Sequence, residues 1–219
     1  MKKHIALVLA LAIMFASPLF AAKSVTPKTN GWAGISMGYA WENYKLTPEN
    51  TDGINYNDGL LSFSAEGANY FGKEKAFGVG YELGVKKLLN QSTGSGDSKS
   101  TTSSNGVDKY SAHFFMEATF NYQHFFKKGL GLEAGLGFFY EHYSWNYSSL
   151  SDTYNDFGLA MKATCVYNFS DQIGIRGGLD FNVPFAFSGT LSSSGYSADK
   201  KTSISGFNVM PFVSVVYNY

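Results

Sequence analysis

The strongest constraint on the fold is a two-residue alternation of apolar with small or polar side chains, which runs from residue 31 to the last residue. Successive side chains of a β-strand point to opposite faces, so this period predicts strands and not helices. The fourth alternating segment shows it most clearly, with one face made of Tyr110, Ala112, Phe114, Met116, Ala118, Phe120 and Tyr122. The other face of that segment carries Ser111, His113, Phe115, Glu117, Thr119, Asn121 and Gln123. Eight such segments account for the chain after residue 30.

The lengths of the segments and of their connections indicate a membrane barrel. Each segment has about 12 residues or more, and a tilted transmembrane strand needs about 9–11. Short connections at 72–76, 127–129 and 170–172 alternate with long ones at 46–59, 90–108, 144–154 and 188–202. Short turns on one side and long loops on the other are typical of outer-membrane barrels. We therefore predict an all-β fold, an eight-stranded antiparallel up-and-down transmembrane β-barrel.

The apolar face is expected to point outward to lipid, because eight rows of Phe, Leu and Tyr would overfill a small lumen. The sheet is expected to close, since an open edge in lipid leaves backbone groups without hydrogen bonds. Pro211 lies in the middle of the last segment and lacks a backbone donor, which predicts a bulge or kink there. Aromatic residues near strand ends are interpreted as interface anchors. They are Tyr39, Trp41, Tyr70, Tyr110, Tyr122, Tyr140, Tyr167, Tyr217 and Tyr219.

The first 22 residues have the layout of a secretory signal peptide. Lys2 and Lys3 precede an apolar stretch at 5–16, which is too short to span a bilayer, and the small pair Ala21 and Ala22 follows. We predict a signal peptide at 1–22, cleaved after Ala21 or Ala22, and an outer-membrane barrel domain at 23–219. The expected location is the cell outer membrane of a Gram-negative envelope.

Charged residues concentrate on the face that should line the lumen, where acids outnumber bases by five. The predicted lumen polar network is Glu66, Glu82, Lys86, Glu117, Glu133, Lys162, Arg176 and Asp180. Glu42, Glu141 and Asp156 fall in the same inward phase, and Lys162 is expected to pair with Glu117, Glu133 or Asp180. Enclosed charges need partners or water, so the network is interpreted as a structural plug, with a selective ion path as the alternative. Inward glycines are expected to make room for Phe115, Phe139, Met210 and Phe212.

The last segment ends in a pattern that resembles the C-terminal signal recognised by the barrel-assembly machinery of the outer membrane. The residues that carry it are Phe207, Val209, Val213, Val215, Tyr217 and Tyr219, where the signal usually ends in Phe. Residues 129–140 are similar to the glycine-alternating strand of such barrels. The mature chain thus resembles the small eight-stranded outer-membrane proteins of the OmpX, opacity-protein and OmpW type. The resemblance implies functions that range over adhesion, serum resistance, passage of small apolar solutes and lipid modification.

One constellation resembles an enzyme site. His142 and Ser144 near the end of the fifth segment look like the His and Ser of outer-membrane lipid A deacylases, which also need a carboxylate to orient the histidine. Trp145 stands where that family has Asn, and Asp156 falls in the inward phase. We therefore predict no enzyme, keep the deacylase as a further alternative, and interpret Tyr143, Trp145 and Tyr147 as interface aromatics.

The remaining features bear on partners. The serine-rich stretch 91–107 has no aromatic residue and is interpreted as a mobile shielding loop, while 188–202, with Tyr196, Lys200 and Lys201, is the better candidate for a partner contact. Zero formal net charge gives no reason to expect nucleic acid. The single cysteine, Cys165, excludes an internal disulfide, and no cofactor or metal ligand set is predicted.

The expected partners are outer-membrane lipid, the assembly machinery, and an extracellular ligand or host surface reached through the long loops, with the chain as a monomer. The leading interpretation is an outer-membrane barrel with a structural or surface-interaction role and a mostly plugged lumen. The alternative is a narrow channel for small apolar solutes. Protruding loops and a filled lumen would favour the first, whereas an open upper lumen would favour the second.

Overall fold

The computed structural model describes residues 30–48, 53–95, 98–103, 110–127, 129–147, 150–193, 196–200 and 202–219. They form ten strands: β1 Gly31–Pro48, β2 Ile54–Phe71, β3 Phe77–Ser95, β4 Ser98–Ser103, β5 Tyr110–Lys127, β6 Leu130–Tyr147, β7 Leu150–Asn168, β8 Ile173–Ser193, β9 Tyr196–Lys200 and β10 Thr202–Asn218. Among the described residues, no helix has the length and apolar character needed to cross a membrane. The predicted signal peptide lies outside the described residues.

The eight long strands close into a barrel. Each pairs antiparallel with the next along the chain, and β10 pairs with both β8 and β1, so the sheet has no open edge between its first and last strands. Val215 sits at the closure, opposite Ile35 on β1 and Ile175 on β8. The short strands β4 and β9 pair with the far ends of β3 and β8 as hairpins. The predicted eight-stranded antiparallel barrel is confirmed.

The two faces of the sheet differ as the alternation predicts. Large apolar side chains on the outer face are exposed, as in Ile35 (72%), Leu83 (59%) and Val215 (57%). They form an outward apolar belt with members on every long strand, among them Met37, Phe63, Val79, Val85, Met116, Phe120, Leu136, Phe138, Leu159, Phe181 and Val213. An exposed apolar band of this kind is what an outer-membrane barrel presents to lipid. The inner face is buried and contains most of the charged residues of the predicted network.

The long connections were predicted to be loops, and for most of their length this is wrong. β6 and β7 pair without a break out to Tyr147 and Leu150, so the predicted loop at 144–154 is the tip of a hairpin. The stretch 90–103 is likewise a hairpin of β3 and β4, in which Asn90 lies opposite Ser103. Backbone hydrogen bonding between strands does not need apolar side chains, and threonine favours strands, so the ladder continues where the apolar alternation stops.

The prolines disturb the sheet at a different place from the predicted one. At Pro211 the register with β1 is the same on both sides, from Gly38 opposite Phe212 to Trp41 opposite Val209, so the predicted bulge there is wrong. The bulge lies at Pro184 instead, which pairs with Gly158 while Ala186 pairs with Phe157. The missing donor of Pro211 only interrupts the ladder, whereas the extra residue after Pro184 shifts the phase of the strand end.

Candidate functional site

The barrel has two distinguishable ends. The turn end carries the short connections at 72–76 and 169–172 and the turn residue Gly129, together with Gly31 and Tyr219, and the hairpin end carries the long strand extensions. Near the turn end, the guanidinium of Arg176 lies 4.0 Å from the centre of the Trp32 ring. Its Nη1 atom donates to Glu133 Oε2 at 2.6 Å, and Asn121 Nδ2 donates to Glu133 Oε1 at 2.7 Å. One buried cation and one buried anion therefore form a pair at the turn end of the lumen.

A middle cluster forms around Lys162. Its Nζ atom lies 2.6 Å from Glu82 Oε2, 2.9 Å from Glu66 Oε2 and 3.7 Å from Asp180 Oδ1. The carboxylates have further donors, since the hydroxyls of Ser64 and Ser214 bond to Glu82 and Glu66 respectively. Asn182 Nδ2 donates to Oε1 of Glu117, the remaining member of this cluster, at 2.7 Å. The middle cluster thus consists of one lysine and four carboxylates: Glu66, Glu82, Glu117, Lys162 and Asp180.

An outer cluster lies closer to the hairpin end and is built around Lys86. Its Nζ atom bonds to Glu42 Oε1 at 2.7 Å and also to Glu141 Oε1. His113 Nε2 lies 3.2 Å from Glu141 Oε2. Asp156 stands directly opposite Glu141 in the β6–β7 ladder, and both side chains are fully buried. The outer cluster consists of Glu42, Lys86, His113, Glu141 and Asp156.

All eight residues of the predicted polar network face the lumen, but they do not meet in one place. Lys86 joins Glu42 and Glu141, which the sequence placed on the inner face but outside the network. Glu133, a predicted partner of Lys162, is bound by Arg176 instead. These contacts cross the lumen between strands that are not neighbours, so they depend on the tilt and stagger of the barrel and not on the alternation.

Bulky side chains fill the space between the clusters. Phe115 and Phe139 are each 1% exposed, and Phe115 lies on β5 between Glu117 of the middle cluster and His113 of the outer cluster. A Cβ atom added at Gly84 would lie 2.5 Å from Phe115 Cε1, so this glycine makes room for the ring. A cavity of about 10 Å³ remains beside the middle cluster, at the lower limit for one water molecule. The described part of the lumen is therefore tightly packed here.

Tyr143 and Tyr70 were predicted to be interface aromatics, and for both this is wrong. Tyr143 is buried in the lumen, where its ring stacks on Tyr154 at 5.2 Å, and Tyr70 is buried near the turn end. Both residues fall in the inward phase of their strands, and the preference of tyrosine for interfaces does not override that phase. The side chains of Trp145 and Tyr147 lie outside the described residues.

The His-x-Ser pair faces outward at the hairpin end. His142 Nδ1 lies 2.8 Å from Asn155 Oδ1, which also accepts a hydrogen bond from the Tyr140 hydroxyl at 2.7 Å. The neighbouring carboxylate of Asp156 points to the opposite side of the sheet, into the lumen. A neutral amide therefore contacts the imidazole where the hydrolytic arrangement needs an anion.

The residues of the predicted assembly signal lie mainly on the outer face of β10. Val213, Val215, Tyr217 and Tyr219 are about half exposed there, and Val209 is half-buried in the same phase. The ring of Phe207 packs edge-on against Trp41 with centroids 5.9 Å apart. The Tyr219 hydroxyl donates to Asn69 Oδ1 at 2.8 Å, and its backbone N–H bonds to Gly31 at the barrel closure.

No protein-family model matches the chain, and no curated protein sequence is similar to it. Several solved structures are similar in fold. Neisserial surface protein A (NspA) has a TM-score of 0.56 at 8% identity and covers 87% of this chain and 98% of its own. OprG from Pseudomonas aeruginosa has a TM-score of 0.54 at 12% identity, covering 89% and 100%.

The outer membrane protein AlkL, studied in lipid bilayers, has a TM-score of 0.51 at 14% identity and covers 91% of this chain and 94% of its own. The chain has the fold of the small eight-stranded outer-membrane β-barrels. This confirms the resemblance seen in the sequence at the level of the fold. At these identities, the likeness shows the fold alone.

Proposed function

We propose that the protein is an integral outer-membrane barrel with a structural and surface-interaction role and a plugged lumen. The outward apolar belt supports membrane insertion, because such a surface is stable in lipid and aggregates in water. In this proposal the turn end faces the periplasm and the hairpin end faces the outside of the cell. Refolded protein should migrate differently on a detergent gel before and after boiling, and its extraction from membranes by carbonate would contradict insertion.

The orientation can be tested with a matched pair of exposed lysines. Lys45 lies on β1 at the hairpin end, and Lys73 lies in the turn between β2 and β3. In a chain whose own cysteine is removed by Cys165→Ser, Lys45→Cys should react with a membrane-impermeant maleimide on intact cells, and Lys73→Cys should react only after lysis. Labelling of Lys73→Cys from outside would reverse the orientation.

The observation that carries the plug is the layering of the lumen. From the turn end outward, the Arg176–Glu133 pair, the middle cluster, the rings of Phe115 and Phe139, and the outer cluster follow one another. An eight-stranded barrel has an interior just wide enough for side chains to fill. In these layers the inward side chains are large or joined by ion pairs, which supports a lumen closed to water.

Bilayer conductance and liposome swelling with refolded protein test the plug directly. We expect conductance at the background level and no swelling with small solutes. Steady conductance of the unmodified protein would replace the plug with the alternative of a narrow channel for small solutes. The double variant Trp32→Ala/Arg176→Ala is a useful comparison, because it removes two of the large side chains that fill the turn end and should raise leakage if the layers are the barrier.

The surface role is supported by the strand extensions. β6 and β7 stay paired to Tyr147 and Leu150, several residues beyond Tyr140 near the edge of the apolar belt, and β3 continues as a hairpin with β4. Paired strands hold a protruding backbone in one conformation, so they can present a surface to an extracellular ligand at a lower entropic cost than a free loop. The hairpins are therefore the proposed contact surface.

The C-terminal residue tests the proposed assembly signal. Tyr219→Ala should reduce the amount of protein in the outer membrane, because it removes the terminal aromatic ring that the assembly machinery is proposed to recognise. Tyr219→Phe is the matched control and should keep or raise that amount, since Phe is the usual last residue. Asn69→Ala keeps the Tyr219 ring and removes only the hydrogen bond that the Tyr219 hydroxyl donates to Asn69 Oδ1. Quantitative blotting of outer-membrane fractions that shows equal amounts for Tyr219→Ala and the unmodified protein would contradict the signal.

A further inference from the structure

The outer cluster holds more negative charge than its own groups offset. It contains the three carboxylates of Glu42, Glu141 and Asp156, while its one permanently charged base is Lys86. Counted against Lys86 alone, the three carboxylates leave an excess of two negative charges, all in side chains that are at most 5% exposed. Buried charges need counter-charges, so this excess calls for a positive partner.

A second observation points to the same place, because buried oxygen atoms around the cluster have no hydrogen-bond partner among the described residues. Neither carboxylate oxygen of Asp156 accepts a bond, and Tyr44 Oη and Asn208 Oδ1 are also unpaired. Asp156 is 0% exposed and opposite Glu141, and Asn208 lies opposite Glu42, with its Nδ2 atom 3.4 Å from Glu42 Oε1. Tyr44 follows Glu42 by two residues on the inner face of β1. Unpaired buried oxygens are rare in folded proteins, and each needs an explanation.

We propose that the outer cluster binds one divalent transition-metal cation through Glu42, His113 and Glu141, with Asp156 as the fourth ligand. One ligand atom from each of the first three residues lies within 4.8 Å of the others. His113 Nε2 and Glu141 Oε2 are 3.2 Å apart, and two ligands bound at about 2.1 Å to a tetrahedral ion lie about 3.4 Å apart. These three residues need only a small adjustment to take an ion, whereas Asp156, which is opposite Glu141 but outside this group of three, must turn toward the ion to bind it.

The ligand types select the kind of ion. A single imidazole among carboxylates suits zinc and its first-row neighbours, whereas calcium and magnesium prefer oxygen ligands alone. A dication would also offset the two excess charges. Lys86 does not block this arrangement, because it bonds to the Oε1 atoms of Glu42 and Glu141 and leaves Glu141 Oε2 beside His113. Its contacts hold the two carboxylates in position.

The middle cluster also has more carboxylates than cations, and both carboxylate oxygens of Asp180 lack a hydrogen-bond partner among the described residues, but its ligand types suit a transition metal less well. Glu82, Glu117 and Asp180 also bring ligand atoms within 4.8 Å of one another. However, both oxygens of Glu82 already accept hydrogen bonds, from Lys162 and Ser64, and Asn182 donates to Glu117. The cluster has no imidazole. It therefore serves as an internal control for the outer cluster.

The test loads the full mature chain with metal during refolding in detergent, because the site is buried. Zn²⁺ is the probe, with chelator-treated protein as the reference, and bound metal is counted by mass spectrometry after desalting. We expect one zinc ion per chain and a higher unfolding midpoint with zinc than with chelator. Refolding with Co²⁺ should give visible absorption bands that report an imidazole ligand. No retained metal in the unmodified protein would overturn the proposal.

Variants separate the site from non-specific binding. His113→Gln and Asp156→Asn should weaken zinc binding by at least about 10-fold, and His113→Gln should change the cobalt spectrum. His124→Gln, which changes the other histidine of β5, and Asp180→Asn in the middle cluster should bind zinc as the unmodified protein does. If His113→Gln fails to fold, the zinc stoichiometry and the cobalt spectrum of the unmodified protein decide whether the outer cluster binds a metal ion through an imidazole. Equal stabilisation by Ca²⁺ and Zn²⁺, unchanged in His113→Gln, would overturn the assignment.

Discussion

The lumen contains two clusters with the same basic composition, a lysine among carboxylates, and they differ in how far the lysine reaches. In the middle cluster Lys162 contacts Glu66, Glu82 and Asp180. In the outer cluster Lys86 contacts two carboxylates and leaves Asp156 without a partner among the described residues. The attraction between a buried carboxylate and a cation is strongest at contact, so the position of each lysine decides which carboxylates it pairs with. The middle cluster is suited to closing the lumen, and the outer cluster to taking up a further cation.

The largest effect is expected from removing the lysine of the middle cluster. Lys162→Met should lower the free energy of unfolding by about 3–5 kcal/mol, because it leaves several buried carboxylates without their cation. Urea unfolding followed by tryptophan fluorescence measures the change. Lys87→Met is the matched control, since Lys87 points outward from β3 and is exposed.

Zinc should not reverse the loss in Lys162→Met, because the middle cluster lacks an imidazole ligand. Conductance should also stay near background, since Phe115 and Phe139 still fill the lumen. A stable Lys162→Met protein that passes ions would mean that the middle cluster lines a path and is not part of a plug.

A smaller net effect is expected at the corresponding lysine of the outer cluster when metal is present. Without metal, Lys86→Met should also destabilise the barrel by about 3–5 kcal/mol, since Glu42 and Glu141 lose their shared cation. With Zn²⁺ present during refolding, part of that loss should be recovered, because the ion supplies the missing charge. Parallel urea curves with zinc and with chelator measure the difference, and an equal loss in both conditions would remove the distinction between the clusters.

The alternation of the sequence was sufficient to predict both clusters as inward-facing, but not to separate them. Inward phase follows from a period of two, and it placed Glu82 and Glu141 correctly without any knowledge of the barrel. The partner of each charge depends on contacts across the lumen, as between Lys86 on β3 and Glu141 on β6. Those contacts are set by strand tilt and stagger, which one sequence does not specify.

The outer cluster illustrates why the candidate metal ligands were missed. Glu42, His113, Glu141 and Asp156 lie on four different strands, so their spacing in the chain has none of the regularity of a short metal-binding motif. His113 falls in the inward phase of its strand, yet nothing in its neighbourhood of the sequence indicates that Glu141 Oε2 lies 3.2 Å from its Nε2 atom. The signal that could have found the site is the excess of inward acids over inward bases, which the plug interpretation left unexplained.

The smallest effects are expected from exchanging one aspartate for asparagine in each cluster, and their signs sharpen the comparison. In the absence of metal, Asp156→Asn should stabilise the barrel by about 1–3 kcal/mol, because it removes a buried charge that has no cation and faces Glu141. Asp180→Asn should change the free energy of unfolding by less than about 1 kcal/mol. It loses a contact with Lys162 at 3.7 Å but also relieves repulsion from the neighbouring carboxylates.

Zinc should reverse the order of stability of these two variants. The unmodified protein and Asp180→Asn should both gain stability from the ion, whereas Asp156→Asn should gain much less, because it has lost the fourth ligand and one of the two charges that the ion offsets. The test compares the unfolding midpoints of all three proteins, each measured with zinc and with chelator. If Asp156→Asn is destabilised without metal, the Asp156 carboxylate already has a favourable partner, and the contrast between the two clusters is wrong.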